Sequence, residues 1–142
     1  MPIAIDKGLL EKLEKELENA KKTTDWFTAI IQMATQLERY GYLIIREYFE
    51  SKKVDLKIID KLLNRLTLYE ISHYLFLMKV INKNEREVIE KIAKERNKFV
   101  HRKKGSDYLI GTKANIEYEP IFKEAIQILK EKLNVIRVSV FH

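Results

Sequence analysis

Residues Leu66–Ile81 read LTLYEISHYLFLMKVI, and apolar side chains recur on almost every side of a helix built from them. A helix that is apolar nearly all round is buried in a core or lies at an interface between subunits. We therefore expect this run to form a central helix, or one at an oligomer interface, in a helical protein.

The rest of the sequence follows the same helical period. Four glycines and two prolines in 142 residues are too few to punctuate a fold of many strands. Apolar spacing and cap signals predict helices at about 6–22, 25–52, 55–81 with a bend near 67, and 84–104. A last helix should carry Pro120 in its first turn. Predicted N-caps are Thr23 or Thr24 for the second helix and Asn84, with Glu87, for the fourth.

These elements predict an all-α, up-and-down bundle in one domain spanning residues 1–142. Residues 25–135 would form a core of four helices, and residues 6–22 an extra N-terminal helix. The connection at 105–118 is long for a compact bundle, which is typical of a functional loop. The β-branched tail from residue 134 is compatible with a frayed end, a longer helix or a strand.

Composition limits the class of protein. The chain has no cysteine, so neither a disulfide framework nor a thiolate zinc site is possible. No apolar run is long enough for a membrane span or a signal peptide, so we expect a cytoplasmic protein without a membrane partner. The net charge of +6 favours a polyanionic partner. Abundant Ile, Lys and Glu with little Gln is typical of a thermophile and supplies part of that charge.

The stretch from Glu95 to Gly105, ERNKFVHRKKG, places a cation on an apolar helix face. At about 100° per residue, Arg96 falls in the middle of a stripe. The stripe consists of Val88, Ile89, Ile92, Phe99 and Val100. Asn97 and His101 lie one turn apart on its shoulder, and the outer face carries Lys91, Lys94, Lys98 and Arg102.

Glu38 is the predicted partner of Arg96. It also lies on an apolar face, seven residues from both Ile31 and Ile45. Taken alone, a buried ion pair of this kind is commonly structural, and a basic helix end is commonly a solvated one. The combination of the pair with Asn97 and His101 favours a functional site over a purely structural ion pair.

The segment Arg96–His101, RNKFVH, resembles the R-x(4–6)-H motif of the HEPN superfamily, in the frequent subtype with a polar residue directly after the arginine. HEPN domains are small helical bundles that carry this motif near the end of the third core helix, before a loop and a last helix. The predicted helices have the same order, so the resemblance covers about residues 25–135 and implies an HEPN-like bundle.

The resemblance implies an endoribonuclease for single-stranded RNA that needs no metal or cofactor and works as a homodimer, with the two motifs meeting at the interface. The implied catalytic residues are Arg96, Asn97 and His101, and Glu38 then becomes the orienting partner of Arg96 or a further active-site group. The basic residues expected to follow the RNA backbone are Lys94, Lys98, Arg102, Lys103 and Lys104, with Tyr108 as a base-stacking side chain. An antitoxin-type protein is a further possible partner. A toxin branch has a tyrosine as nucleotide-transfer target where this chain has Lys103, which argues against that regulation.

The chemistry of RNA cleavage suits this set. An imidazole such as that of His101 can accept and return a proton near neutral pH. Arg96 can hold two phosphate oxygens and stabilise the charge that develops on them. Asn97 can orient the histidine or the phosphate. A two-fold axis would supply the second proton-transfer group, and DNA should resist because it lacks the 2′-OH.

Other interpretations remain open. A HEPN-like module could bind nucleotides or RNA, or dock a partner protein, without catalysis, and a purely structural helical dimer would need no site. Glu70-Ile-Ser-His73 is half of a di-iron signature, but a full site needs a second such motif, so no metal is assigned. We expect His73 to be a core histidine bonded to a carbonyl or to Glu70.

Overall fold

The structure is a computed structural model that describes residues 7–101 and 111–133, without the side chains of residues 99–101. Its helices are, in chain order, α1 (Lys7–Thr23), α2 (Phe27–Ser51), α3 (Leu56–Leu63), α4 (Leu68–Leu77), α5 (Lys83–His101) and α6 (Thr112–Ile128). A π-helical turn, Leu129–Leu133, continues α6. The described residues contain no β-strand, and the predicted all-α class is confirmed.

The predicted helix at 55–81 is wrong, because the chain forms two helices there. Thr67 and Glu70 close a capping box at the start of α4: the Thr67 hydroxyl accepts from the Glu70 N–H at 3.2 Å, and the Glu70 carboxylate accepts from the Thr67 N–H at 3.1 Å. A capping box satisfies N–H groups that a helix start leaves unpaired, so it favours a new helix over a bend. The predicted bend near 67 is therefore a helix boundary.

The cap predicted for α5 is displaced by two residues. Asn82 and Glu85, not Asn84 and Glu87, form the reciprocal pair, with both N–H···O distances at 2.8 Å. Both sites share the same amide-to-carboxylate spacing, so sequence alone does not separate them. The structure selects the earlier pair, in which Glu85 is buried.

The cap predicted for α2 is also wrong. Neither threonine caps it: the Thr23 hydroxyl donates back to the Asn19 carbonyl in the last turn of α1, and Thr24 has a left-handed φ of 56°. The N-cap position is occupied by Trp26, which makes no side-chain cap bond; the Asp25 carboxylate, one residue earlier, accepts from the Phe27 N–H at 3.0 Å.

Helix α6 begins eight residues before Pro120, so the prediction that Pro120 lies in its first turn is wrong. Buried Ala114 and Tyr118 anchor the early turns to the core. Proline cannot donate to the carbonyl four residues back, that of Ile116, but Ile116 is 77% exposed, so water has access to this turn. Packing of the early turns therefore outweighs the preference of proline for the first turn of a helix. The predicted connection at 105–118 ends at Gly111, the residue before α6 begins.

The central helix is α2, which contacts each of the other five helices. Helix α4, predicted as a central or interface helix, packs on α2 with one side only. The two helices come close together at Gly41, where an added Cβ would stand 2.5 Å from the Ile71 Cγ2 atom. The other side of α4 leaves Tyr69, Tyr74 and Leu77 exposed. Helix α4 is therefore not buried on that side within one chain, and its place at an oligomer interface stays a prediction.

The seam between α2 and α6 is closed by aromatic side chains. Trp26 is fully buried and packs against Tyr118 and Phe122, at centroid distances of 6.4 and 6.0 Å. Its indole N–H donates to the Asn115 side-chain oxygen at 2.7 Å, and the Asn115 amide donates to the Lys21 carbonyl at 3.0 Å. This network joins the end of α1, the start of α2 and the start of α6.

Helix α5 lies on α2 between α4 and α6. It runs antiparallel to α4, since Arg86 near its start lies over the Phe76 ring near the end of α4, at 4.8 Å. The last turns of α5 therefore sit beside the first turn of α4. A membrane-spanning helix is absent from the part of the chain that the structure describes.

Candidate functional site

The last turns of α5 carry three of the four predicted catalytic residues, and one of these, Arg96, meets the fourth, Glu38 of α2, across the seam between the two helices. Arg96 donates from Nη2 to Oε2 of Glu38 at 2.8 Å. Their side chains are 21% and 40% exposed. The structure thus brings together the pair that the two apolar faces predicted, at the edge of the bundle and not inside it.

The position of the pair follows from the apolar stripe. Ile89 and Ile92 are fully buried, and Arg96 extends the same face by one more turn, where α5 nears its end. An ion pair as exposed as this one contributes roughly 0–1 kcal/mol to folding. Its main effect is to fix the direction of the guanidinium group.

A second face of α5 forms an open groove with α4, of about 780 Å³. Tyr69 supplies the α4 wall. The α5 wall consists of Glu87, Glu90, Lys91, Lys94, Asn97 and Lys98. The structure therefore places predicted residues Asn97, Lys94 and Lys98 together, whereas Arg96 points to the neighbouring seam with α2.

The lysines of the groove differ in their partners. Lys94 is exposed and has no ion pair within the described residues. Lys98 lies 3.3 Å from the Glu95 carboxylate. Lys91 lies 3.2 Å from Glu95 and 2.9 Å from Glu117 of α6. The hydrogen bond to Glu117, above all, raises the pKa of Lys91. Of the predicted RNA-binding lysines that the structure describes, Lys94 is the more available one.

Glu95 is the buried charge that sequence analysis missed, since its side chain is only 1% exposed. Burial acts to raise its pKa, but hydrogen bonds from Lys91 and Tyr118 and the charges of Lys91 and Lys98 outweigh it, so the pKa lies below its ordinary value. In the sequence, Lys91 and Lys98 flank Glu95 at helical spacings of four and three, which predicts ion pairs but is equally typical of an exposed helix face.

Tyr69 is the other residue of the site that sequence analysis did not select. Its ring stands 4.5 Å from that of His73, at 80°. His73 lies 3.5 Å from Oε1 of Glu90, and Arg86 lies 3.4 Å from the same oxygen. A chain of contacts from Arg86 through Glu90 and His73 therefore reaches Tyr69 at the groove.

This arrangement overturns the expectation for His73. Its side chain is 38% exposed and lies near Glu90 of α5, so it is not a core histidine bonded to Glu70, which instead caps α4. Within the described residues, no three His, Asp or Glu side chains are grouped so as to hold a metal ion.

His101 is the last residue of α5, one turn beyond Asn97. Its side chain lies outside the described part of the chain. The remaining predicted RNA-binding residues, Arg102, Lys103, Lys104 and Tyr108, also lie outside it.

The described geometry offers three chemical capabilities at one end of α5. A guanidinium of fixed direction suits a phosphate oxygen. An amide and an amine at the groove, Asn97 and Lys94, suit a hydrogen-bonding polyanion. An aromatic ring opposite them suits a flat, unsaturated group. No protein-family model, curated protein or solved structure matches the chain.

Proposed function

We propose that the protein is an endoribonuclease of the HEPN type that cleaves single-stranded RNA. The observation that carries the proposal is the Glu38–Arg96 pair at 2.8 Å. It orients a guanidinium at the surface of the bundle, directly before Asn97 and five residues before His101. Arginine, a polar residue and histidine in this order suit phosphoryl transfer without a metal ion.

The proposed reaction is attack by the 2′-oxygen of a ribose on the adjacent phosphorus. The bond between phosphorus and the 5′-oxygen breaks, which leaves a 2′,3′-cyclic phosphate and a 5′-hydroxyl end. One proton leaves the attacking hydroxyl and one reaches the departing 5′-oxygen. His101 can serve in either role, so a homodimer that joins two copies of the motif would supply both a base and an acid.

Arg96 would stabilise the negative charge that grows on the phosphate oxygens in the transition state. A guanidinium has several N–H donors in a plane, so it can bond Glu38 with one edge and a phosphate with another. Glu38 is therefore a positioning residue. Asn97 would orient the scissile phosphate or His101, and Lys94 and Lys98 would contact neighbouring phosphates.

The basic segment that follows would extend this path, through Arg102, Lys103 and Lys104, with Tyr108 stacking on a base. An antitoxin-type protein partner would act by covering the same end of α5.

The test is incubation of labelled single-stranded RNA in EDTA with the wild type and two variants, His101→Ala and Arg96→Ala. We expect cleavage products with 2′,3′-cyclic phosphate ends, and a loss of rate of about 100-fold or more in each variant. A DNA oligonucleotide of matching sequence, which has no 2′-hydroxyl, should stay intact.

Two matched controls accompany the variants. Arg46→Ala removes an arginine whose distance to its partner Asp60 is also 2.8 Å, with side chains 33% and 38% exposed. His142→Ala removes the histidine at the end of the sequence. Both controls should cleave as the wild type does. Intact RNA under every condition, or equal cleavage by all five proteins, would contradict the proposal.

The same ion pair favours a second candidate, a non-catalytic module of HEPN type that binds RNA or docks a partner protein. Glu38 already occupies part of the guanidinium of Arg96, as expected if the pair is only structural. If this candidate is correct, the wild type binds RNA or a partner protein without cleaving RNA. The Arg96→Ala substitution then lowers only the free energy of unfolding.

A further inference from the structure

The groove between α4 and α5 has the dimensions of a ligand site. Its volume of about 780 Å³ falls in the range of about 300–1,000 Å³ that is usual for small-molecule pockets. It runs along α5 towards the end of that helix, so it approaches the proposed catalytic residues. Any polymer bound at the end of α5 would have part of its length beside this groove.

Tyr69 presents to the groove an aromatic ring whose position is fixed by its neighbours. Its side chain is 49% exposed, yet its backbone lies in the first turn of α4, which the Thr67–Glu70 capping box fixes. The ring also contacts His73 at 4.5 Å, and Glu90 lies 3.5 Å from His73. A ring that is already ordered loses little conformational entropy when a ligand packs on it.

The opposite wall has groups that complement a nucleotide. The Asn97 amide can both donate to and accept from the edge of a base. Glu87 and Glu90 can accept from the exocyclic amino group of a base, and they disfavour a phosphate at their end of the groove. Lys94, one turn closer to the end of α5, favours a phosphate there.

Charge therefore gives the groove a direction. Glu87 and Glu90 lie nearer the start of α5, beside Lys91, whose charge is paired with Glu95 and Glu117. Lys94 and Lys98 lie nearer to the end of α5. A nucleotide with its base beside Tyr69 and its phosphate at Lys94 would direct the RNA backbone towards the proposed catalytic end. Single-stranded RNA suits this geometry, because its unpaired bases can stack on aromatic side chains.

We propose that the groove binds one unpaired base of single-stranded RNA, stacked on Tyr69, and that Tyr69 is thereby a substrate-binding residue. The identity of the ligand as RNA rests on the proposed ribonuclease function. Tyr69 does not touch the reacting atoms in this scheme, so its role is to hold the nucleotide next to the scissile phosphate in place.

The test is fluorescence anisotropy with a labelled, single-stranded 2′-O-methyl oligonucleotide, which cannot be cleaved because it has no free 2′-hydroxyl. Stacking on an aromatic side chain is worth about 1–3 kcal/mol by alanine substitution, so Tyr69→Ala should raise Kd roughly 5- to 150-fold. Tyr69→Trp should keep the affinity within about threefold, because it keeps an aromatic face.

Tyr74→Ala is the matched control. Tyr74 belongs to the same helix and is 41% exposed, close to the value for Tyr69, but it does not line the groove. Its removal should leave Kd unchanged. Circular dichroism of all three variants verifies that each is folded before binding is compared.

A salt series separates stacking from charge. For Tyr69→Ala the slope of log Kobs against log salt should equal that of the wild type. For Lys94→Ala the slope should become shallower by about 0.7, the value for one lost phosphate contact on a single strand.

The outcomes of the two assays separate this proposal from the proposed function. Equal affinity of wild type and Tyr69→Ala, or an equal loss in Tyr74→Ala, overturns the stacking proposal even if RNA is cleaved. Binding that depends on Tyr69, without cleavage of unmodified RNA, supports stacking and overturns the nuclease. A wild type that binds no oligonucleotide overturns the stacking proposal outright.

Discussion

The Oε1 atom of Glu95 lies 3.2 Å from Nζ of Lys91, at a point where the carboxylate is buried and the amine reaches solvent. The same amine lies 2.9 Å from Glu117. One lysine therefore neutralises a buried charge of α5 and joins α5 to α6. The contact holds in place the helix that carries Arg96, Asn97 and His101.

Glu95 should make stability depend on pH in the acid range. Its pKa is lowered in the folded protein, so its contribution is present above its unfolded pKa of about 4.3 and is lost as the pH falls through the folded value. Glu95→Gln should lower the free energy of unfolding by about 1–3 kcal/mol near neutral pH. The difference from wild type should shrink as the pH falls below the unfolded pKa and through the lower pKa of the folded protein.

Urea unfolding at a series of pH values measures this effect. Asp60 and Glu119 also have lowered pKa values, so only the difference between wild type and variant isolates Glu95. Glu87→Gln, an exposed position on the same helix, is the control and should follow the wild type throughout. Parallel stability curves for wild type and Glu95→Gln would contradict the assignment.

Gly41→Ala should destabilise the protein although alanine is the better helix former. The new Cβ would stand 2.5 Å from the Ile71 Cγ2 atom, and overpacking of this kind costs about 1–3 kcal/mol. Ile71→Leu removes the Cβ branch that carries Cγ2, so it should recover part of the loss in the double variant. Thermal unfolding of both single variants and the double variant gives the coupling energy, and strict additivity would argue against a close contact here.

Asn82→Ala should destabilise the protein by about 1 kcal/mol through loss of the α5 cap. Asn84→Ala removes the same side chain two residues later, where the structure shows no cap, and should cost less than about 0.5 kcal/mol. Chemical denaturation compares the two directly. Equal losses would mean that the cap formed by Asn82 and Glu85 is not the one that starts α5.

Glu38→Gln should slow the proposed cleavage without unfolding the protein. A displacement of the Arg96 guanidinium by up to about 1 Å should lower the cleavage rate roughly 10- to 100-fold, mainly through kcat. The free energy of unfolding should change by less than about 1 kcal/mol. In an Arg96→Ala background the substitution should have no further effect on rate, because Glu38 acts only through Arg96. An additive loss in that background would assign Glu38 an independent role.

Periodicity predicted the features that depend on a single helix. The apolar stripe of α5, the position of Arg96 on it and the facing position of Glu38 all follow from counting residues, and the all-α class follows from the scarcity of Gly and Pro. The stripe and the position of Arg96 are local in sequence. The pairing with Glu38 depends on two helix faces, each of which can be derived from its own stretch of sequence.

Features that depend on how helices meet were not predictable in this way. Pro120 lies inside α6 because Ala114 and Tyr118 are anchored by packing. Tyr69 becomes part of the candidate site only because α4 starts beside the last turns of α5. Glu95 is buried only because α6 covers that side of α5. In each case the deciding neighbour is distant in sequence, and no local pattern identifies it.

Trp26, sealed between Tyr118 and Phe122, is the only tryptophan of the chain. Its intrinsic emission therefore reports on a single place, the seam of α2 and α6, and should shift to the red when that seam opens to water. The groove beside Tyr69 is lined by α4 and α5 alone. The emission of Trp26 can thus report loosening of the aromatic seam without a direct contribution from a ligand in the groove.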